Sequence, residues 1–381
     1  MDDIFSAVQI GGINLNNRIL RSATDESMAD ESGFPTQKLY KTYERLAKGE
    51  VGAIITGFMA VSEDGQTKQK GMCRIDTDAS VSPLTDLVTY IHSTGVPIIC
   101  QIAHCGRHGR GGHTFNVNRL SELEIKQIII AFVDAAVRAK TAGFDGVELH
   151  CAHSYLLAEF LSPRTNHRKD SYGGSIEGRF RIVREILEGI RKVMPDYPLW
   201  IKMNGTEYGK GGLELSESVK LAKLMEKEGC DTIEISRGGP GLGPESGQVP
   251  LDIVFQDMPG VKCLPAFVKR IVGPVVAKTM QSPEPLFCYN LEAAVAMKKA
   301  VAIPVVLVGG IHDLEHISSA IGKYGIDAVA MSRPLILEPT LISKYKNGTS
   351  SVSKCINCNY CSIGIMARPI RCYYGKIQSK Q

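Results

Sequence analysis

Gly146-Val-Glu-Leu-His150-Cys-Ala-His153-Ser-Tyr155 is a short strand-like run that gives out into two imidazoles and a phenol. Parallel barrels place their chemistry at the C-terminal ends of their strands, where this run ends. Two histidines can donate hydrogen bonds to one developing oxyanion, and a nearby tyrosine can give or take a proton. The chain continues Leu161-Ser-Pro-Arg-Thr-Asn-His-Arg168-Lys-Asp170-Ser-Tyr-Gly173-Gly174. Arg168 and Asp170 can pair there across a tight turn at Gly173-Gly174, fixing the loop that aims His150 and His153. A lone histidine at a strand end is more often structural than catalytic; the second imidazole and the phenol change that balance.

Outward from this run, short apolar segments alternate with amphipathic helical ones, the pattern of βα units around a parallel sheet. Eight strands are expected, at Ile19–Arg21, Gly52–Thr56, Pro97–Ile102, Gly146–Leu149, Leu199–Met203, Thr232–Ser236, Pro304–Val308 and Ala328–Met331. Most are continuous apolar runs, as strands buried on both faces should be. Ser121 and Glu124 form a capping box ahead of a stripe of Ile125, Ile128, Ile129, Phe132, Ala135, Ala136 and Ala139, and Gly143 ends that helix. Further helices are expected at Thr85–Thr94, Ile176–Val193, Leu215–Glu228 and Leu291–Lys299. Gly11-Gly12 and Asn16-Asn17 read as hairpin turns closing the barrel bottom. Eight such strands specify an α/β fold: a (β/α)8 TIM barrel with a long insertion after strand six and a short Cys-rich C-terminal tail. No Gly-x-Gly-x-x-Gly turn follows the first strand, which counts against a dinucleotide-binding open sheet. The domains expected are a barrel over residues 1–345 and a tail over 346–381. The insertion, 238–287, contains an apolar helix-like piece near Leu264–Val272 and reads as a lid over the barrel mouth.

The 381 residues suit one large barrel, and 44% hydrophobic with 22% charged residues is ordinary for a globular protein. The net charge of +4 is spread along the chain, which argues against a nucleic-acid partner. The N-terminal Met-Asp-Asp-Ile-Phe lacks a basic start followed by an apolar core, and no run approaches a membrane span. A cytoplasmic protein is expected, with no membrane partner. Seven of the eleven cysteines are scattered and read as small buried hydrophobes, which with an odd total argues against a disulfide framework.

The His150–Gly174 run resembles the Old Yellow Enzyme family of FMN-dependent ene-reductases, especially its bacterial branch. Asn17-Arg18-Ile-Leu-Arg-Ser-Ala-Thr24 is similar to the family's first strand, Gln101-Ile-Ala-His104-Cys-Gly-Arg107 to its third, and Val308-Gly-Gly-Ile311 with Met331-Ser-Arg333-Pro to its last two. The resemblance spans residues 5 to 345. It implies that main-chain groups around Ala23, Thr24 and Gly57 touch the flavin, and that Gln101 hydrogen-bonds its pyrimidine edge. It implies that Lys202 stands beside flavin N1 and O2, where the family usually has arginine; the charge is kept and the planar fork lost. Gly309, Gly310, Ser332 and Arg333 would hold the FMN phosphate, and barrels commonly bind phosphate with the loops after strands seven and eight. His150 and His153 would bind a substrate carbonyl or nitro oxygen, and Tyr155 would protonate the carbon alpha to it. Asp25 departs from the cysteine or threonine often found there; ionised, it would disfavour an anionic reduced flavin, or it contacts the substrate. His104 and Arg107 suit loop packing and a flavin-side salt bridge equally.

Cys355-x2-Cys358-x2-Cys361-x10-Cys372 is a metal-like spacing that suits a [4Fe-4S] cluster. It resembles the segment that follows the barrel in 2,4-dienoyl-CoA reductase, 2-enoate reductase and trimethylamine dehydrogenase. Zinc, or a metal-free remnant, is the alternative. The resemblance as a whole implies an FMN-dependent ene-reductase, with NAD(P)H or an electron-transfer protein as donor. Hydride would pass from reduced flavin to the beta carbon of an enone, an enoate or a similar small molecule. It also implies a homo-oligomer. The alternatives are an electron-transferring or amine-demethylating flavoprotein using the tail cluster, and a flavin-free barrel such as an aldolase.

Overall fold

The computed structural model describes residues 2–238, 254–255, 263–280, 287–365 and 368–375. A two-stranded hairpin, β1 (Val8–Ile10) and β2 (Ile13–Leu15), precedes the main sheet. That sheet comprises β3 (Ile19–Arg21), β4 (Ile54–Ile55), β5 (Met59–Ala60), β6 (Ile98–Ala103), β7 (Gly146–Cys151), β8 (Leu199–Glu207), β9 (Thr232–Gly238), β10 (Val305–Val308) and β11 (Ala328–Met331). Its order is β4-β3-β11-β10-β9-β8-β7-β6-β5, and a further β4–β6 pairing closes the ring. Every pairing in it is parallel, so eight strands form a (β/α)8 barrel, with the two-residue β5 attached to β6.

All eight expected strands are present, and β3 and β11 keep the expected bounds. β4 shrinks to two residues, while β8 runs four residues past Met203 and carries a register shift between Asn204 and Thr206. Continuous burial along β6, β7, β10 and β11 reflects strands covered on both faces.

Two apolar clusters divide the core. Leu20, Ala53, Ile55, Ile99, Trp200, Val306, Ala328 and Ala330 fill the barrel interior with Ile10, Ile13 and Leu15 of the hairpin. The larger cluster fills the annulus between strands and helices. The hairpin is thus a floor. Its Gly11-Gly12 turn needs φ of +51° and +81°, and a Cβ at Gly11 would meet Thr232 and Trp200. Trp200 Nε1 donates to Gly11 O at 3.1 Å, tying floor to wall.

Helices cover the barrel outside. Glu122–Thr141 starts at the expected capping box: Ser121 Oγ accepts the Glu124 N–H at 3.3 Å and Glu124 Oε2 accepts the Ser121 N–H at 2.7 Å. Its buried residues are the seven of the expected stripe. Ile176–Val193 has the expected bounds, and Leu215–Lys227 and Leu291–Lys298 differ by one residue. Thr85–Thr94 proves to be Val81–His92, and Gln37–Lys48 is a helix that patterning did not single out. Most of the 238–287 insertion, expected as a lid, lies outside the described residues. Its apolar piece is the helix Ala266–Met280, which runs past Val272 and contains Pro274.

Candidate active site at the barrel mouth

β7 ends at Cys151, and the chain then turns through His153 (φ +58°) and Ser154 (φ +60°) into the short helix Leu156–Leu161. Consecutive left-handed residues without glycine cost roughly 1–2 kcal/mol each and persist only where neighbours fix them. Here Asn204 Oδ1 of β8 accepts the His153 N–H at 3.2 Å, and His104 O accepts the Leu156 N–H at 3.0 Å. The turn lifts His153 above the strand ends, towards β9.

The two imidazoles stand in series. His150 Nδ1 accepts the Ala152 N–H at 3.2 Å, so the ring hydrogen of neutral His150 sits on Nε2. That Nε2 lies 3.2 Å from His153 Nδ1, and His153 Nε2 lies 2.7 Å from Ser236 Oγ on β9. His150 is 3% exposed, whereas His153 opens onto the cavity at the mouth. Burial first, then the neighbouring charges of His153 and Lys202, holds His150 well below the usual imidazole range. Burial and Lys202 push His153 down to about 3. Both rings are therefore neutral N–H donors at physiological pH.

Tyr155 packs edge-on against Phe58 and His150, with ring centroids at 5.2 and 4.9 Å. Burial, with Cys105 and Asp25 nearby, raises its phenol well above the usual value, so it keeps its proton. Arg107 pairs with the buried Glu159 and His104 Nδ1 accepts the Gly106 N–H at 3.0 Å; both support the loop. Arg168 Nε donates to Asp170 Oδ1 at 2.9 Å across the expected turn, and its Nη1 reaches Val117 O and Leu120 O.

A cavity of about 480 Å³ opens above the strand ends, lined by Ser22, Ala23, Thr24, Asp25, His153, Tyr155, Lys202, Ser236, Ser332 and Arg333 among others. Asp25 Oδ1 accepts from the Ser27 N–H at 2.9 Å, and burial raises its carboxyl, which softens the charge conflict expected of it. Thr24 Oγ1 lies 2.7 Å from Ser332 Oγ. Behind it, Gly309, Gly310, Ser332 and Arg333 line one crevice. Gly309 (φ +120°) and Gly310 (φ +70°) adopt consecutive positive φ, and a Cβ on Gly309 would meet Asn290 and Tyr289. Such a main-chain concavity beside a hydroxyl and a guanidinium has the donor chemistry of a phosphate cradle. These residues fit the FMN that the resemblance implies. Gln101 and Gly57 sit differently, since neither lines the large cavity. Gln101 is buried and donates to Glu148 at 2.5 Å, and Gly57 donates its N–H to Tyr43 Oη at 3.1 Å beside Glu26. His150 likewise lies behind His153.

Ser236, Asn204, Glu148 and Glu234 belong to this neighbourhood and were not singled out from sequence. Two of them sit on a strand in phase with a residue that was, Glu148 with His150 and Asn204 with Lys202 (period two), whereas Glu234 and Ser236 share β9, where none was.

Cys355, Cys358, Cys361 and Cys372 line one further cavity of about 120 Å³ with Arg333, Ile336, Leu337 and Tyr374. Among the described residues, no group of three or more His, Cys, Asp or Glu side chains is arranged to hold a metal ion. Burial raises the Cys361 thiol to about 12, opposed by the Arg333 charge. Cys361, Asn359, Ile336 and Arg333 line this cavity and the large one alike.

Residues 3–115 and 109–239 match the model of the NADH:flavin oxidoreductase / NADH oxidase family. A NADH oxidase of Thermoanaerobacter brockii is 32% identical over 381 residues, covering 95% of this chain and 54% of that protein. A NADPH dehydrogenase of Halalkalibacterium halodurans is 39% identical over 248 residues, 62% of this chain and 73% of that one. Among solved structures, a 2-naphthoyl-CoA reductase in complex with 2-naphthoyl-CoA superposes with a TM-score of 0.78 at 25% identity, over 94% of this chain and 54% of that chain. The chain spans about half the length of the Thermoanaerobacter relative it matches. Fold, strand-end chemistry and matched residues agree: the chain belongs to the NADH:flavin oxidoreductase / NADH oxidase family, the Old Yellow Enzyme family.

Proposed function

We propose that this protein is an FMN-dependent, NAD(P)H-linked oxidoreductase that reduces an activated alkene, an enone or enoate. The observation that carries this reading is the neutral imidazole relay beside a protonated phenol, at the rim of a cavity that ends in a phosphate-type cradle. Gly309, Gly310, Ser332 and Arg333 would hold the FMN phosphate, with Ala23, Thr24 and Lys202 at the ring system. Bound FMN would supply the hydride.

The chain's own part is positioning and electrostatics. His153 offers an N–H to a substrate oxygen placed between it and Ser236, withdrawing electrons from the double bond. His150 acts through His153, fixing which nitrogen carries the hydrogen. Tyr155 holds a proton for the carbon alpha to the activating group. Neutral donors suit an oxygen that gains negative charge and do nothing for a cationic amine, which ranks amine demethylation lower.

We propose further that residues 346–381 form a cluster-binding tail on a barrel of residues 1–345, with the four cysteines as ligands of a [4Fe-4S] cluster. Four thiols lining one cavity, at the spacing Cys355-x2-Cys358-x2-Cys361-x10-Cys372, favour this over zinc, whose usual paired cysteine spacing fits less well. The wall shared by the two cavities favours a second reading, in which the protein passes electrons to or from a partner.

The test is an absorption spectrum of anaerobically purified protein, with iron and zinc assays and NAD(P)H-driven enone turnover. Flavin bands with turnover sustain the main reading. Flavin with about four irons per chain and turnover only from a reduced carrier selects the second. Protein that neither carries nor binds FMN sinks both.

A further inference from the structure

Beneath the cavity, around Lys202, the barrel holds two buried carboxyls that the chemistry above leaves unused. Glu148 on β7, Lys202 on β8 and Glu234 on β9 are 0%, 2% and 0% exposed. The strand register pairs Gln101 with Glu148 and Lys202 with Glu234, and Ser22 of the β3 end completes the set. Gln101 Nε2 donates to Glu148 Oε2 at 2.5 Å. Ser22 Oγ donates to Glu234 Oε1 at 2.7 Å, and Lys202 Nζ lies 3.1 Å from that same oxygen and 2.8 Å from Ser22 Oγ.

One oxygen on each carboxyl meets no N–H or O–H: Glu148 Oε1 and Glu234 Oε2. The two carboxyls are close enough to shift one another's titration, and two such acceptors can satisfy each other only with a proton between them. Charge balance agrees. Two buried carboxyls with one proton carry one negative charge, which the single Lys202 cation offsets; a second buried carboxylate would have no counter-charge. Burial and Glu234 drive the Glu148 carboxyl well above the usual range, while Lys202, Glu148 and Ser22 outweigh burial and hold Glu234 below it. The polar groups facing this layer are Ser22, Gln101, His150 and His153; of these the histidines are neutral.

Lys202 also lines the cavity above. We propose that Glu148 and Glu234, sharing one proton, are positioning residues that set how much of the Lys202 charge reaches the bound flavin, and so its reduction potential. This rests on the flavin reading above. The consequence is a compensating pair. When either glutamate is replaced, the other takes the single negative charge and Lys202 stays paired. When both are replaced, the Lys202 charge is uncompensated and turns to the flavin, favouring the reduced, anionic form.

The experiment measures the midpoint potential of the FMN-loaded protein against a reference dye. Glu148→Gln and Glu234→Gln singly are expected to shift the reduced/oxidised ratio by less than about threefold. The double variant is expected to shift it at least tenfold towards reduced, about 30 mV for a two-electron couple. An unshifted double variant, or singles that each shift as far as the double, overturns the proposal. A purely structural role would lower stability in all three and leave the potential alone.

Infrared spectroscopy in D2O asks the same question without flavin. At about pH 9, where ordinary carboxyls are ionised, the wild type should keep a protonated-carboxyl band that either single variant loses. Glu26 and Glu159, raised to about 8 and about 7, are then largely ionised. A missing band, or one indifferent to Glu148→Gln, refutes proton sharing. Failure of the unaltered protein to bind FMN is a separate result and counts against the functional reading itself.

Discussion

His150 owes its neutrality to its surroundings: burial, a second ring and the Lys202 charge all oppose protonation. The linkage sign follows. Below the unfolded imidazole value of about 6.5 the unfolded chain takes up a proton that folded His150 refuses, so folding loses stability as pH falls. For one such group the slope is about 1.4 kcal/mol per pH unit. His150→Asn removes that term. Unfolding free energies of flavin-free wild type and variant, measured between pH 7 and 5, should converge by about that amount per unit below pH 6. Parallel curves would mean that the folded protein protonates His150. Tyr155 makes a complementary case, because its phenol is held protonated. Tyr155→Phe should slow alkene reduction by about 10²–10⁴-fold, the range of a lost general acid, while NAD(P)H still reduces the flavin at the wild-type rate. Stopped-flow measurement of the two half-reactions separates them, and an equal loss in both would assign Tyr155 to packing.

At the level of elements, helix starts and strand phases were written locally and were legible. Ser121 and Glu124 foretold a helix N-terminus because a capping box satisfies two backbone donors by side chains three positions apart. Ser121→Ala should cost about 1 kcal/mol and lower Tm by ~2 °C, with activity intact, in a thermal melt and a turnover assay. The turn at His153-Ser154 was not legible as a turn, since neither residue is glycine and the contacts that fix it, those from Asn204 and His104 among them, are distant in sequence. Ser154→Gly should fold and turn over normally. Ser154→Val, β-branched at φ +60°, should lose more than about 2 kcal/mol and most activity. Equal behaviour of the two would show that the turn is not strained. Glu148 and Glu234 escaped notice for a related reason. Reading β7 and β9 as apolar runs averages over alternate positions, yet charges in phase on neighbouring strands can only meet inside a barrel. The Gln37–Lys48 helix escaped because it lacks an acidic first turn and a side-chain cap.

At the scale of the whole molecule, the cysteine spacing set the last residues apart from the barrel but did not say where they would dock. The answer depends on contacts far apart in sequence. Ile370 N–H donates to Glu26 O at 3.0 Å, Ser353 and Lys354 bind the Glu338 carboxylate, and the Ser353 N–H donates to His312 O at 3.0 Å. These bonds seat the tail against the barrel mouth rather than beside it. The junction is Arg333, which lines the phosphate-type crevice, the large cavity and the cysteine cavity, and whose Nη1 donates to Asn359 Oδ1 at 2.7 Å. Asn359 holds that carboxamide in place from a left-handed conformation (φ +59°). A guanidinium held by the tail and lining the proposed phosphate site would couple the two parts of the chain. Asn359→Ala should therefore weaken FMN binding about tenfold, the worth of one hydrogen bond to a charged group, although Asn359 lies 26 residues beyond Arg333 in a different segment. Fluorescence titration of flavin-free protein with FMN reads this directly, and Asn359→Asp, which keeps the acceptor, should restore tight binding. If Asn359→Ala binds FMN as tightly as wild type, the tail lies against the proposed flavin site without influencing it.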